Sequence, residues 1–143
     1  KECIPFKEKN FRVKAYRNNR ALAGLSMGGI QTLNAGIPNL DYFAYLGVFS
    51  SGWWANPTPF GGGNDTEKYY KMLQNKKDDY NTKLKQFWIS MGGKEDIAYN
   101  NCQIMMKRFD QIGIKYTYFE TPGGHTWPVW RESLYLFAPL LFK

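Results

Sequence analysis

Only one histidine and two cysteines occur in the 143-residue sequence, and no apolar run approaches the length needed to cross a bilayer. A membrane-spanning helix is therefore excluded. Cys3 and Cys102 are too few for a disulfide scaffold and lack zinc-ligand spacing, and nothing in the sequence supports their pairing. No basic run exceeds two residues, and Lys76–Lys77 is followed at once by Asp78–Asp79. The net charge of +7 is therefore spread out, which argues against a nucleic-acid footprint and leaves only a diffuse attraction for acidic polymers. No internal repeat is visible. Gly61-Gly62-Gly63 approaches low complexity but lacks the Lys-Ser/Thr that completes a phosphate cradle, so it reads as a flexible loop. The sequence opens on Lys-Glu-Cys, with no initiator Met and no apolar leader, and is expected to be a mature product, a fragment or a trimmed piece. What is present is core material: 43% of residues are hydrophobic, with 5 Trp, 10 Tyr and 10 Phe. That suits one compact domain over residues 1–143 and argues against disorder.

The order of segments predicts an α/β fold. Glu2 to Lys9 reads as the end of a helix, and Arg17-Asn18-Asn19-Arg20 as a turn. Ala21 to Leu25 is a short apolar run bounded by turn signals, the pattern of a strand buried on both faces. A helix with Ile30, Leu33 and Ile37 on one side follows and stops at Pro38. Tyr42 to Phe49 is a second β-prone run, and an irregular stretch rich in Gly and Pro fills Ser50 to Asp65. Thr66 to Lys85 reads as a surface helix and Gln86 to Met91 as a third strand. Ala98, Cys102, Met105, Phe109 and Ile112 then step by 4, 3, 4 and 3, a helical stripe that makes Cys102 a buried, inert thiol. Lys115 to Glu120 forms a fourth strand. The last helix opens at Pro128 and carries Trp130, Leu134, Phe137 and Leu141, with a kink or fraying at Pro139. Strands alternating with helices point to a mostly parallel sheet, in which function gathers at the carboxyl ends of the strands.

Three segments at such ends carry chemistry. Gly24-Leu25-Ser26-Met27-Gly28 fits the G-x-S-x-G turn, in which a serine sits on a strained strand-to-helix junction and its neighbours two positions away lack bulk. The helix that follows aims free N–H groups, Met27's among them, at a developing oxyanion. A serine hydroxyl needs a base, and His125, in a loop after the fourth strand, is the one imidazole available. The alternative is a histidine that merely packs near the last helix. The third member of such a constellation falls between them in chain order. Asp96, in Gly92-Gly93-Lys94-Glu95-Asp96, is the choice, with Glu95 the local rival and Asp65 a weaker one.

The string Asn19-Arg20-Ala21-Leu22-Ala23-Gly24-Leu25-Ser26-Met27-Gly28-Gly29 resembles the esterase D-like family of α/β-hydrolases. The likeness is greatest to carbohydrate esterase family 1, which holds feruloyl and acetyl-xylan esterases. Gly92 to Asp96 and Gly123-Gly124-His125-Thr126-Trp127-Pro128-Val129-Trp130 resemble that family's acid and histidine segments. The resemblance implies Ser26 as nucleophile, Asp96 as acid, His125 as base and the Met27 N–H as oxyanion donor, with no metal or organic cofactor. It implies a feruloyl or acetyl ester on xylan, or another small ester, as substrate, and a secreted or periplasmic location. An S-formylglutathione hydrolase type is the alternative inside the family. A non-catalytic carbohydrate-binding or assembly remnant is the alternative outside it.

The chain departs from the family pattern by beginning just before the elbow strand. The resemblance therefore leads one to expect that the amino-terminal strands and the second oxyanion donor come from a complementing half or from another copy of the chain. Trp53, Trp54 and Trp127 are candidates for stacking on an acyl group or a sugar, Trp127 by its place two residues after His125. Core filling is the competing role for Trp53 and Trp54, and the expected one for Trp130.

Overall fold

The computed structural model describes residues 2–54 and 66–143. The Gly61-Gly62-Gly63 loop and the rival carboxylate Asp65 lie outside the described residues. Four parallel strands, β1 (Ala21–Leu25), β2 (Tyr45–Phe49), β3 (Gln86–Gly92) and β4 (Thr117–Thr121), form one sheet in the order β1-β2-β3-β4. Each neighbour in space is the next strand in sequence, so every connection carries the chain back over a sheet face; helix α1 (Cys3–Asn10), ahead of β1, buries no residue, and the sheet is covered by later helices.

Strand periodicity divides the core into two layers. Leu46 and Val48 of β2, with Phe87, Ile89 and Met91 of β3, face one side. There they meet Leu33 of α2 (Met27–Gly36), and Met105 and Phe109 of α5 (Tyr99–Ile112). Tyr45, Phe49 and Trp88 face the other side and pack on Phe137 of α6 (Trp127–Phe137). The stripe read from the sequence is the buried face of α5, and Gly113, at φ +84°, ends that helix in the left-handed conformation that lacks a Cβ penalty.

Two expectations need correction. β1 is not buried on both faces: it pairs only with β2, Ala23 is exposed and the rest is half-buried, so it is an edge strand among the described residues. Leu22 packs on the α2 side and Ala21 and Leu25 on the side of Phe137, so each face of the strand is covered only in part. The segment from Thr66 to Lys85 is not one helix but two, α3 (Thr66–Asn75) and α4 (Lys77–Lys83). The break falls at Lys76, where the backbone leaves helical geometry and both helices can bring a tyrosine, Tyr70 and Tyr80, into the core. Pro139 ends α6 in a single 3-10 turn, Ala138–Leu140, which needs no N–H from it. None of the helices among the described residues is long and apolar enough to cross a membrane.

The cysteines are free and differ in setting. Cys3 is exposed, whereas burial, with lesser contributions from the charges of Asp96 and Glu120, pushes the Cys102 thiol up to about 12. A thiol-reactive dye is expected to titrate one cysteine in the native protein and two after denaturation; prompt reaction of both in the native state would contradict the placement of Cys102.

Candidate active site

The carboxyl ends of β1, β2 and β3 and the loop after β4 converge on one rim. Ser26 follows β1 at φ +53° and ψ −123°, a strained conformation for a residue with a side chain. Two contacts hold it there. Its N–H donates to the Phe49 carbonyl at 2.9 Å, and its own carbonyl accepts from the Ser51 hydroxyl at 2.7 Å. A serine at this position usually caps the helix that follows, but the Ser26 hydroxyl makes no cap bond to α2. It is paired with His125 instead.

The steric demand of the turn differs from the motif's plain reading. A Cβ on Gly24 would sit 2.2 Å from the Gly28 carbonyl oxygen, so that position must be glycine. A Cβ on Gly28 would meet nothing within 4 Å. The second close approach belongs to Gly29, whose Cβ would fall 2.4 Å from the Ser51 Cβ. The turn thus needs Gly24 and Gly29, because β1 must clear the backbone of the first turn of α2 and that turn must clear the end of β2.

Ser26, Asp96 and His125 meet, though they are far apart in the chain. His125 Nε2 lies 2.9 Å from Ser26 Oγ, and its Nδ1 lies 2.8 Å from Asp96 Oδ1. The Asp96 side chain is fully buried, while that of His125 keeps 18% of its exposure. Burial alone would raise the Asp96 carboxyl. The nearby Ser50 hydroxyl, the Ala98 N–H at 2.9 Å and His125 outweigh it and hold the group below the ordinary carboxyl range. Among the described residues Ser50 Oγ meets no partner in ordinary hydrogen-bond geometry, so the Ala98 N–H and His125 make the short bonds that hold Asp96. The rival Glu95 is exposed to solvent, whereas Asp96 is buried.

Glycines let the acid and histidine loops touch. The Gly93 N–H donates to the Gly123 carbonyl at 2.6 Å, and a Cβ on Gly92 would stand 2.6 Å from that same oxygen. Gly123 itself has φ +125°, a value that disfavours any side chain. These contacts set the distance between Asp96 and His125.

The three tryptophans read as candidates for ligand stacking have different fates. Trp53 is 2% exposed, stacked on Tyr69 and edge-on to Tyr70 and Phe109, with its indole N–H donating to Asn34 at 2.9 Å. It is a core residue, so of the two roles weighed for it from the sequence the structure shows core filling and not a stacking surface. Trp54 lines a shallow pocket of about 40 Å³ with Ser26, Met27, Ile97 and His125, enough space for a few water molecules. Trp127 is 67% exposed. It lies edge-on to Trp130, which in turn stands edge-on to the His125 ring with centroids 5.0 Å apart. Trp130, expected in the core, is half-buried and backs the imidazole. Sequence reading missed Ser50 and Ser51. The signal available was a pair of small hydroxyl residues at the carboxyl end of the one strand that is buried throughout.

The Esterase family model matches residues 1–138. The chain belongs to the Esterase family. This esterase-family chain is 30% identical over 143 residues to an endo-1,4-beta-xylanase/feruloyl esterase of Xylanibacter ruminicola, an alignment covering 99% of the chain and 17% of that relative. A ferulic acid esterase of carbohydrate esterase family 1 from the anaerobic fungus Anaeromyces mucronatus superposes with a TM-score of 0.78 at 22% identity, over 98% of the chain and 50% of that structure. An S-formylglutathione hydrolase from Staphylococcus aureus superposes with a TM-score of 0.76 at 21% identity, over 97% of the chain and 57% of that structure. The chain therefore spans a minor part of the curated relative and about half of each solved structure. The structural likenesses show the fold: four parallel strands with flanking helices, a partial α/β-hydrolase.

Proposed function

We propose that the chain is a serine carboxylic ester hydrolase with Ser26 as nucleophile, His125 as general base and acid, and Asp96 as the group that orients and stabilises the imidazole. The observation that carries this reading is the continuous path from Ser26 Oγ through both ring nitrogens of His125 to a buried Asp96. In the neutral imidazole, Nδ1–H donates a hydrogen bond to Asp96, which leaves Nε2 free to take the proton of the Ser26 hydroxyl as its oxygen attacks the ester carbonyl. The carbonyl oxygen gains negative charge, and the Met27 N–H, the first of α2, is the donor this chain offers to it. The imidazolium returns its proton to the leaving alkoxide, and a water activated by His125 then hydrolyses the acyl-enzyme, regenerating Ser26.

Likeness to an endo-1,4-beta-xylanase/feruloyl esterase supports a feruloyl ester as substrate; an acetyl ester of xylan and an extracellular or periplasmic place of action are further parts of this proposal. The equally good superposition on an S-formylglutathione hydrolase supports a second reading, a small-ester or thioester hydrolase. Trp54 beside Ser26 and the exposed Trp127 favour the first, because each offers an aromatic face to an acyl ring or a sugar.

The test is a stopped-flow experiment with an activated aryl acetate. The folded chain is expected to release a burst of phenol stoichiometric with protein, and Ser26→Ala to abolish it. A folded chain without a burst would favour the non-catalytic remnant, and a burst that survives Ser26→Ala would place the nucleophile elsewhere and overturn the assignment of Ser26. A panel of feruloyl, acetyl and thioesters then ranks the substrate classes by kcat/KM.

A further inference from the structure

Ser51 has no role in proton transfer, yet it makes a short hydrogen bond at the centre of the site. Its hydroxyl, on a residue 2% exposed, donates to the Ser26 carbonyl at 2.7 Å. That carbonyl and the Met27 N–H belong to one planar trans peptide unit, so the direction of one fixes the direction of the other. We propose that Ser51 is a positioning residue, whose hydroxyl holds the Ser26–Met27 peptide so that the Met27 N–H points at the developing oxyanion. This inference rests on the hydrolase reading above.

Three further features fit this role. The same carbonyl also accepts the Gly29 N–H at 2.9 Å and, at a longer 3.4 Å, the Ile30 N–H, the first bonds of the helical ladder, but those donors belong to α2 and move with it. Ser51 is anchored instead through β2, which also receives the Ser26 N–H at Phe49, so the end of one strand holds both backbone groups of the strained residue. Room for the contact exists because position 29 is glycine: a Cβ there would fall 2.7 Å from the Ser51 hydroxyl oxygen. A hydrogen bond on the carbonyl also polarises the amide and strengthens its N–H as a donor. Because the donor matters only once charge has formed on the substrate oxygen, its loss acts on the transition state and not on the bound ester.

The test uses the whole 143-residue chain with Ser51→Ala and with Ser51→Cys, whose somewhat larger thiol still fills the space against Gly29 but is a weak donor. Both variants are expected to lower kcat on the aryl acetate about tenfold with KM unchanged, since a misaimed donor costs less than the 10²–10³ of a removed one. An aryl boronic acid, which mimics the tetrahedral state, is expected to bind more weakly by the same factor. The Met27 amide resonance is expected to shift in both variants. Unchanged kcat, or a rise in KM alone, would overturn the proposal. If the unsubstituted chain gave no Ser26-dependent burst, the hydrolase reading would fail separately. The Met27 amide would still decide the positioning claim, and an unmoved resonance in Ser51→Cys would end it. If Ser51→Ala fails to fold, Ser51→Cys carries both readouts.

Discussion

Asp96→Asn is expected to lower kcat by about 10³–10⁴ with little change in fold. The carboxylate is buried, and its Oδ1 receives both the His125 ring and the Ala98 N–H, while its Oδ2 receives the Gly92 N–H at a longer 3.4 Å. The closer Ala98 donor keeps an asparagine oxygen at the Oδ1 position, so the amide retains the shape of the site. What is lost is the negative charge that stabilises the imidazolium as Ser26 gives up its proton. Steady-state kinetics on the aryl acetate read this directly, and a loss below tenfold would remove Asp96 from the mechanism. The same variant has a signature in stability. The folded carboxyl titrates below its ordinary value, so its ionised form contributes stability that is fully present above the unfolded carboxyl pKa, near pH 4. That contribution is lost as pH falls through the lower folded pKa. Denaturant unfolding of the native chain should weaken over that acid range, and Asp96→Asn should flatten the slope.

Gly24→Ala is expected to destabilise the chain by about 3 kcal/mol and to remove most Ser26-dependent activity. The added methyl would stand 2.2 Å from the Gly28 oxygen and 2.4 Å from its carbonyl carbon. These are backbone atoms of the first turn of α2, so relief requires moving the helix that carries the Met27 N–H, and with it the Ser26 backbone. Gly28→Ala is the control. The space around that position is open, so the substitution should leave the urea midpoint almost unchanged. Equal effects at the two positions would contradict the packing described for the turn.

That contrast shows where sequence reasoning succeeded and where it stopped. The Gly24-to-Gly28 pentapeptide marked a strand-to-helix turn with Ser26 at its strained position, which is where the structure has it, but spacing alone treated its two glycines alike: Gly24 abuts the helix start and Gly28 faces open space. The α5 stripe was legible since a helical period survives in one dimension: Cys102, Met105 and Phe109 repeat on one face whatever they pack against. Burial of β1 was not legible, because an apolar five-residue run looks the same at a sheet edge as at its centre. Trp53 and Trp54 are adjacent and identical in type, and only the path of the chain after β2 sends one into the core and leaves the other at the pocket. The choice of Asp96 over Glu95 rested on chain order and resemblance; a loop of two adjacent carboxylates gives no local sign of which one turns inward. Ser51 is the clearest case. A serine after a strand is unremarkable in a sequence, and its contact with Ser26 spans 25 residues.

The central claim is that the Ser26 hydroxyl is activated by His125. It is tested most directly by treating the folded chain with an aryl fluorophosphonate and locating the adduct by peptide mass spectrometry. The account predicts one adduct, on Ser26, whose formation is lost in His125→Ala. A folded chain that stays unmodified, or one labelled at any other serine, would contradict it.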